Sequence, residues 1–425
     1  METEDSVRTA ECTDMNEMGS GIVRIDGMVV FVPGLIPGET AEITVTEKKK
    51  NYAFGSLTRL ISPSRDRIAP LCPDEEVCGG CTLGHVSFET ENAVKRNTVR
   101  AALRKAGLGE VPVEPVLHGE QRYGYRNKIT LHYDGSTGRF GYCKPGSEEV
   151  LPFRGCPLCP DLFSEIVLFL GARPELTAPL PPGSLTIRSG NEGVQISFSG
   201  SSGTSSVRKE LEKALKEAFP AVVNVLFCGD PDRIGLTDRI AGLDMRFSAE
   251  SFRQVNTPVF EILLNELCAM ASEQPFSRAA DLYCGTGIIG LTLAKAFPKA
   301  RVTGIEINPE AVRDGKKNAS ANGIGNIRFF AGDASTFRKR IGEGERPDLI
   351  VTDPPRAGLS ESVRRDLISL SPERILYVSC NPQTLARDLC SLADAGYQIR
   401  RVLPVNMFPV TKHIETVTSL TRAGL

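Results

Sequence analysis

The chain of 425 residues lacks the patterns that would place a protein in a membrane or send it out of the cell. It contains no run of about 18 consecutive apolar residues, the length that a membrane-spanning helix requires. Its first residues, METEDSVRTAECTDMNEMG, are acidic and polar, without the basic start and apolar core of a secretory signal. We therefore expect a cytoplasmic protein with no membrane partner.

The sequence also lacks an excess of positive charge. Its 50 Lys and Arg residues are balanced by 52 Asp and Glu residues, for a formal net charge of -2. This balance excludes a uniformly basic coat, so any contact with nucleic acid must come from local clusters. No internal repeat is visible, and the length predicts two or three compact domains.

Residues 1–62 favour a small β-barrel. Short β-rich runs at 28–32 and 40–45 alternate with glycine and proline turns. A basic run at 48–50 beside Tyr52 suits a surface for single-stranded nucleic acid, but it is equally typical of a solvated hairpin. By itself this run does not decide between the two.

Two further domains are expected, at 63–244 and 245–425. The first contains closely spaced cysteines, a charged helical stretch at 89–106, several strand-like runs and a helix at 207–218, which together predict a mixed α+β domain. In the second, strand-like and helical stretches alternate. This alternation predicts a doubly wound parallel sheet of the Rossmann-like α/β class, with ligand-binding loops at the carboxyl ends of its strands.

A glycine-rich loop after one of these strands predicts a nucleoside cofactor. The run DLYCGTGIIGL leads from an apolar strand into an apolar helix, and its glycines allow a ligand to approach the backbone. Glu306, at the end of the next strand, is placed to bind ribose hydroxyls, and Asp333 is the type of residue that reaches an adenine amino group. Together with Asp353 they resemble class I S-adenosylmethionine methyltransferases more than dehydrogenases.

Two further loops should meet beside this cofactor. VTDPPRAG and YVSCNPQTLA each follow a strand, and the second contains Cys380, whose thiolate could add to a substrate as a nucleophile. Near the end of the chain, HIET contains His413 and Glu415, of which Glu415 is the candidate base. The simpler interpretation is that Cys380 is a structural cysteine in the core. The sequence Ser-Cys-Asn-Pro argues against it, because it does not resemble the sequence of a buried core segment.

Taken in order, these motifs resemble the RNA (uracil-5-)-methyltransferases of the TrmA/RumA type over nearly the whole chain. GSGIVRIDGMVVFVPGLIPGE is similar to the TRAM domain of that family, an OB-like barrel, and CPDEEVCGGC to its cluster motif. The resemblance implies Cys380 as the nucleophile and Glu415 as the base. The implied contacts with S-adenosylmethionine are Gln254, Tyr283, Glu306, Asp333 and Asp353.

The resemblance also implies an RNA partner, with the target uridine flipped out of its loop. The barrel and residues 125–128, YRNK, would hold the RNA. The barrel and the cysteine motif favour 23S ribosomal RNA, with transfer RNA as the alternative. No obligate protein partner is evident.

The cysteines Cys72, Cys78 and Cys81 form a C-x5-C-G-G-C pattern, and a fourth ligand would come from Cys156 or Cys159. Four thiolates suit zinc or an iron–sulfur cluster, and free thiols are the third alternative. Resemblance to the family favours a [4Fe-4S] cluster held by Cys72, Cys78, Cys81 and Cys156.

Two rival functions remain. An RNA exocyclic-amine methyltransferase could use the DPP loop without any cysteine nucleophile. An RNA-binding protein with a degenerate enzyme domain would need no cofactor, but the intact Gly285, Glu306, Asp353, Cys380 and Glu415 argue against it.

Overall fold

The computed structural model describes residues 7–134, 137–200, 204–230, 235–248, 251–341 and 346–422. Within these ranges no helix has the length and apolar character needed to cross a membrane. Three sheets, of six, five and seven strands, follow one another along the chain, and a two-stranded hairpin lies between the second and the third.

The first sheet is built from β1 (Arg8–Glu11), β2 (Asp14–Met15), β3 (Ser20–Ile25), β4 (Met28–Pro33), β5 (Thr40–Lys48) and β6 (Tyr52–Ser62). Its order is β1-β5-β6-β4-β3-β2, antiparallel except where β4 pairs with β6. Alternating buried positions along β3 and β5 send Val23 and Ile43 into a common core. The predicted strands at 28–32 and 40–45 are confirmed, and the basic run forms the tip of the β5–β6 hairpin.

Two helices follow, α1 (Glu75–Cys78) and α2 (Phe88–Lys105). The hydroxyl of Ser87 accepts a hydrogen bond from the Thr90 N–H and so caps the start of α2. The later turns of α2, with Val99 and Leu103, pack into the core of the C-terminal sheet, whereas Val94, nearer the start of the helix, packs with Met15 and Ile36 of the N-terminal region. This helix therefore connects the cysteine-rich segment to the C-terminal region.

The central region contains β7 (Lys128–Asp134), β8 (Arg139–Gly141), α3 (Asp161–Gly171), α4 (Pro174–Thr177), β9 (Gly183–Gly190), β10 (Gly193–Phe198), α5 (Ser205–Ala218) and β11 (Val222–Phe227). Its sheet has the order β11-β10-β9-β7-β8. The buried sides of α3 and α5 pack on this sheet in one apolar cluster. The predicted mixed character is confirmed, although α3 was not expected from the sequence.

The C-terminal region begins with the hairpin β12 (Leu236–Ile240) and β13 (Leu243–Phe247), followed by α6 (Thr257–Ser272), β14 (Arg278–Leu282), α7 (Ile288–Ala296), β15 (Arg301–Glu306), α8 (Pro309–Ala321), β16 (Ile327–Ala331), α9 (Phe337–Ile341), β17 (Leu349–Thr352), α10 (Glu361–Leu370), β18 (Arg374–Ser379), α11 (Pro382–Asp394), β19 (Tyr397–Val405) and β20 (Glu415–Arg422). The seven-stranded sheet has the order β16-β15-β14-β17-β18-β20-β19.

In this sheet the first five strands are parallel and β20 runs antiparallel to its neighbours. Strands such as β17 are buried at every position, as expected for a parallel sheet that is covered on both faces. The predicted Rossmann-like α/β class is confirmed. The strand order reverses between β14 and β17, which places a binding crevice at the carboxyl ends of these strands. The domain boundaries at 62 and 244 stay predictions.

Candidate active site

The loop after β14 bends through three residues with positive φ, Tyr283 at 62°, Gly285 at 54° and Gly287 at 86°. This conformation is rare for an aromatic residue such as Tyr283. A Cβ added to Gly285 would meet no atom within 4 Å, whereas one at Gly287 would come within 2.5 Å of the Phe329 ring. Gly285 therefore leaves room for a ligand beside the loop. At position 287 only glycine fits against the Phe329 ring.

Acidic residues end the two strands that follow the loop. The Glu306 carboxylate accepts hydrogen bonds from the N–H of Gly285, at 3.0 Å, and from that of Asn308, at 2.8 Å. Each carboxylate oxygen can accept a further bond, so Glu306 retains the capacity to bind ribose hydroxyls. Hydrogen bonding from Ser335 lowers the pKa of Asp333, which follows β16.

Three of the predicted cofactor contacts line one cavity, which we call the cofactor cavity. Its lining comprises Gln254, Tyr283 and Asp353 with Ile240, Phe247, Phe252, Arg253, Phe260, Cys284, Gly285, Thr286, Ile288 and Ile289. Apolar walls with a few polar groups are the usual composition of a small-molecule site. The open backbone at Gly285, the aromatic walls and the nearby carboxylates fit a nucleoside that carries a positive sulfonium.

Gln254 is held in the cofactor cavity by the central region. The Asn127 side chain donates a 2.9 Å hydrogen bond to the Gln254 carbonyl oxygen, and the Asn127 N–H donates one of the same length to Val255. Asn127 belongs to the YRNK stretch that the sequence had assigned to RNA. In the structure this stretch also supports the cofactor cavity.

Cys380 lies between the end of β18 and the start of α11. It lines a second pocket, the Cys380 pocket, whose other residues are Glu17, Met18, Thr98, Arg356, Asn381, Pro382, Gln383, Lys412, His413 and Ile414. The Asn381 side-chain amide donates a 3.1 Å hydrogen bond to the Arg356 carbonyl oxygen, and the Thr384 hydroxyl donates one of 3.2 Å to the same atom. These bonds hold the SCNP and DPP loops together, as the sequence predicted.

Three charged groups act on the Cys380 thiol. Burial and the carboxylates of Glu415 and Asp353 raise the pKa of Cys380 to about 11, while the Arg356 guanidinium opposes them. The thiol is therefore mostly protonated at neutral pH before any ligand binds. A positive group brought into the neighbouring cavity would favour the thiolate.

Glu415, which is buried, and Asp353, which is half-buried, form an acidic pair that acts on the thiol. Glu415 is 4% exposed, and its Oε2 atom has no hydrogen-bond partner among the described residues. Burial raises the pKa of both carboxyl groups, and the charge of Asp353 raises the pKa of Glu415 further. A carboxylate whose pKa is raised binds a proton more strongly than an ordinary carboxylate does, which favours the removal of a proton from carbon.

His413 also lines the Cys380 pocket. Burial, with the nearby positive charges of Arg356 and Lys412, lowers the pKa of His413 to about 4. Its ring is therefore neutral at physiological pH.

Several residues of the Cys380 pocket were not predicted as site residues. Arg356 and Lys412 stand inside or beside the motifs VTDPPRAG and HIET, so their position was a usable signal. Glu17 and Met18 belong to the loop before β3, and the Met18 sulfur lies 3.3 Å from the Lys412 Nζ atom. No local pattern marks these two residues, because only the tertiary structure brings the first sheet to this pocket.

The cysteine motif surrounds a third cavity, the cysteine cavity. Cys72, Cys78, Cys81 and Cys156 all line it, whereas Cys159 is not among its lining residues and directs its thiol to the Cys156 carbonyl oxygen at 3.2 Å. As the side chains stand, no group of three or more His, Cys, Asp or Glu within the described ranges could hold a metal ion. Metal binding therefore stays a prediction.

The first sheet presents aromatic rings beside its basic hairpin. Tyr52 is 38% exposed and makes edge contacts with Phe54, at 5.5 Å between ring centroids, and with Phe31, at 5.8 Å. Exposed rings next to lysines suit unpaired bases and their phosphates.

The sheet order, the glycine loop and the cofactor cavity define an S-adenosylmethionine-dependent methyltransferase. Two family models match the chain, described as the TRAM domain at residues 3–58 and tRNA (Uracil-5-)-methyltransferase at residues 230–423. A relative from Oceanobacillus iheyensis, named an uncharacterized RNA methyltransferase, is 32% identical over 98% of this chain and 97% of its own length. One of the same name from Porphyromonas gingivalis is 33% identical over 97% of this chain and 99% of its own length.

The chain thus belongs to the RNA (uracil-5-)-methyltransferase family. Among solved structures it is similar to the Pyrococcus abyssi tRNA (uracil-54, C5)-methyltransferase in complex with S-adenosyl-L-homocysteine. The TM-score is 0.75 at 22% identity, and the match covers 97% of this chain and 100% of the other. This likeness confirms the fold, and the family membership confirms the predicted RNA methyltransferase class.

Proposed function

We propose that the protein methylates carbon 5 of a uridine in RNA, with Cys380 as the covalent nucleophile and Glu415 as the base. The main support is the arrangement of a thiol and two carboxyl groups beside the carboxyl ends of the parallel strands. Cys380 lines an open pocket, Glu415 is buried within electrostatic reach of it, and Asp353 interacts with both while lining the cofactor cavity.

The cysteine is needed because carbon 5 of uracil is a weak nucleophile. The Cys380 thiolate adds to carbon 6, and the electron pair of the ring double bond makes carbon 5 nucleophilic. Once carbon 5 carries the new methyl group, Glu415 removes its proton. The electron pair left behind restores the double bond and expels the thiolate.

S-Adenosylmethionine, when bound, supplies an electrophilic methyl group. We infer that Gln254, Tyr283 and Asp353 hold it in the cofactor cavity, with Glu306 at the ribose and Asp333 at the adenine. The positive φ and free space at Gly285 support this assignment.

The test compares Cys380→Ala with the matched control Cys390→Ala, whose thiol lies further along α11 and donates to the Ala106 carbonyl oxygen outside the pocket. We expect the first variant to lose turnover and all covalent adduct with RNA that contains 5-fluorouracil, and the control to retain both. If Cys380→Ala kept most of its activity, the exocyclic-amine alternative would replace this proposal.

For the substrate we propose 23S ribosomal RNA, on the basis of the attached barrel and cysteine motif. Transfer RNA is the second candidate, because the Pyrococcus abyssi protein and the matching family model are both named for it. Mapping 5-methyluridine in both RNAs from a deletion strain distinguishes them. A site lost from transfer RNA alone would reject the ribosomal assignment.

We also infer that the cysteine cavity holds a [4Fe-4S] cluster. The support is the chemistry of the donor set, since Cys72, Cys78, Cys81 and Cys156 line the same cavity and the charge of Cys156 raises the pKa of each of the other three thiols. Anaerobic purification should give a brown protein that absorbs near roughly 400 nm. Stoichiometric zinc without iron would reject the cluster.

A further inference from the structure

The segment between β19 and β20 determines where three residues of the Cys380 pocket lie. Its residues Lys412, His413 and Ile414 line the Cys380 pocket, and it leads directly into Glu415. Within it Val410 has a φ of 71°, a left-handed conformation that is a genuine outlier for a β-branched residue. Such a conformation persists only where surrounding contacts enforce it.

The enforcing contacts converge on Glu91 of α2, whose side chain is fully buried. Its Oε1 atom accepts hydrogen bonds from the Val410 N–H, at 2.9 Å, and from the Asn406 side-chain amide, at 2.8 Å. The Lys95 Nζ atom lies 3.0 Å from the same oxygen, and Arg122 donates to Oε2 at 3.1 Å. One carboxylate thus binds two cations, the buried Lys95 and the partly buried Arg122, together with two points on the segment.

Lys95 and Leu83 also bind the segment, through hydrogen bonds that do not involve Glu91. Lys95 donates to the Asn406 side-chain oxygen at 2.6 Å and to the Phe408 carbonyl oxygen at 2.9 Å. The Leu83 N–H, two residues beyond Cys81, donates to the Val410 carbonyl oxygen at 2.9 Å. Both polar groups of the strained Val410 backbone are therefore bound from outside the segment.

We propose that Glu91 is a positioning residue for the active site, which fixes the segment 406–414 so that Glu415 meets the reacting base. The inference rests on the proposed function. Glu91 lines neither the cofactor cavity nor the Cys380 pocket, so it acts through the segment.

The substitution Glu91→Gln tests the proposal because glutamine has only one side-chain oxygen. If that oxygen faces Val410, the amide group points its hydrogens at Arg122. If it faces Arg122, the hydrogens point at the N–H of Val410 and at Lys95. The variant keeps the size of the side chain but cannot satisfy both sides of the network.

Two RNA substrates separate the steps. RNA with 5-fluorouracil stops after addition and methyl transfer, whereas natural RNA must also lose the carbon 5 proton. We expect Glu91→Gln to slow product release from natural RNA by about 10- to 100-fold, the effect of misplacing a catalytic group by roughly 1 Å. Covalent methylated RNA should then accumulate, while adduct formation with 5-fluorouracil RNA and cofactor affinity change little.

The matched control is Asp348→Asn. Asp348 also binds two backbone N–H groups, those of Ser277 at 2.7 Å and Arg278 at 3.0 Å, but at the amino ends of the central strands β14 and β17. The Asp348→Asn substitution should lower the melting temperature. It should not change the ratio between the rate of product release from natural RNA and the rate of adduct formation with 5-fluorouracil RNA. All rates are normalised to the protein that binds cofactor in calorimetry, so that a loss of folded molecules is not counted as a loss of positioning.

If Glu91→Gln does not fold, Asn92→Ala removes only the 2.8 Å bond that Asn406 donates to Asn92. It should shift the same ratio by a smaller factor. An unchanged ratio in a folded variant, or an equal slowing with both RNAs, overturns the positioning role. If the wild-type protein forms no adduct with 5-fluorouracil RNA, the proposed function itself is wrong. The Glu91 and Asn92 variants test only the positioning role.

Discussion

The cofactor cavity and the Cys380 pocket lie at the same edge of the C-terminal sheet, but the chain builds them differently. The cofactor cavity takes much of its lining from one short stretch, 283–289, and its other walls from 240–260 and Asp353. The Cys380 pocket combines residues from the first sheet, from α2, from two sheet loops and from the segment before β20. The first is therefore built within the C-terminal region, around one loop, and the second depends on packing between regions far apart in the chain.

This difference predicts that the two pockets respond separately to mutation. Glu306 and Gly285 lie in the cofactor region, and Arg356 and Glu415 act on the thiol. Asp353 is the residue that both share, since it lines one cavity and raises the pKa of groups at the other.

The largest effect is expected for Glu415→Gln. Without the base, turnover should fall by about 10²- to 10⁴-fold, and covalent RNA should accumulate because addition and methyl transfer still occur. Gel shift under denaturing conditions measures the adduct, and calorimetry should show an unchanged affinity for S-adenosylmethionine. Weakened cofactor binding would mean that the two pockets are not separable.

A smaller effect is expected for Glu306→Ala. Losing a charged hydrogen-bond acceptor should weaken cofactor binding by about 10- to 100-fold, measured by calorimetry. Alkylation of Cys380 by iodoacetamide should proceed at the wild-type rate. Glu310→Ala, on the exposed first turn of α8, is the control and should leave both measurements unchanged.

Asp353→Asn should affect both pockets at once. Cofactor affinity should fall, and the Cys380 pKa should also fall because a negative charge beside the thiol is removed. At neutral pH a lower thiol pKa means more thiolate, so alkylation in the absence of cofactor should be about 10-fold faster. If alkylation slowed instead, Asp353 would not act on the thiol through its charge.

The smallest effect concerns pH and Arg356. With a Cys380 pKa of about 11, the alkylation rate should rise roughly tenfold per pH unit between pH 7 and 10, because the thiolate fraction does. Arg356→Gln removes a charge that favours the thiolate, so it should slow alkylation by about 2- to 5-fold at each pH. Peptide mass spectrometry can follow Cys380 alone. A rate independent of pH would contradict the raised pKa.

The cofactor cavity and the Cys380 pocket also differ in how much of each could be predicted from the sequence. The β14 loop, the strands around it and the barrel-like first sheet follow from apolar runs and glycine positions, and the structure confirms them. Helix α3 was missed because its apolar run is short and follows a cysteine-rich turn, where no clear periodicity marks a helix. The motifs around Cys380 were recognised, but the contributions of Met18 and Thr98 to its pocket were not.

The sequence by itself determined the order of the sheets, the cofactor loop and the residue types needed for the chemistry. These are local properties, since strand runs, turn glycines and strand-end carboxylates depend on neighbouring residues. Only the tertiary structure decided that Glu91 binds Val410, that Met18 reaches Lys412 and that Asp353 lines the cofactor cavity while its charge acts on the Cys380 thiol. Those contacts join residues far apart in the chain, and burial then sets the charge of the carboxyl groups and thiol that the packing brings together.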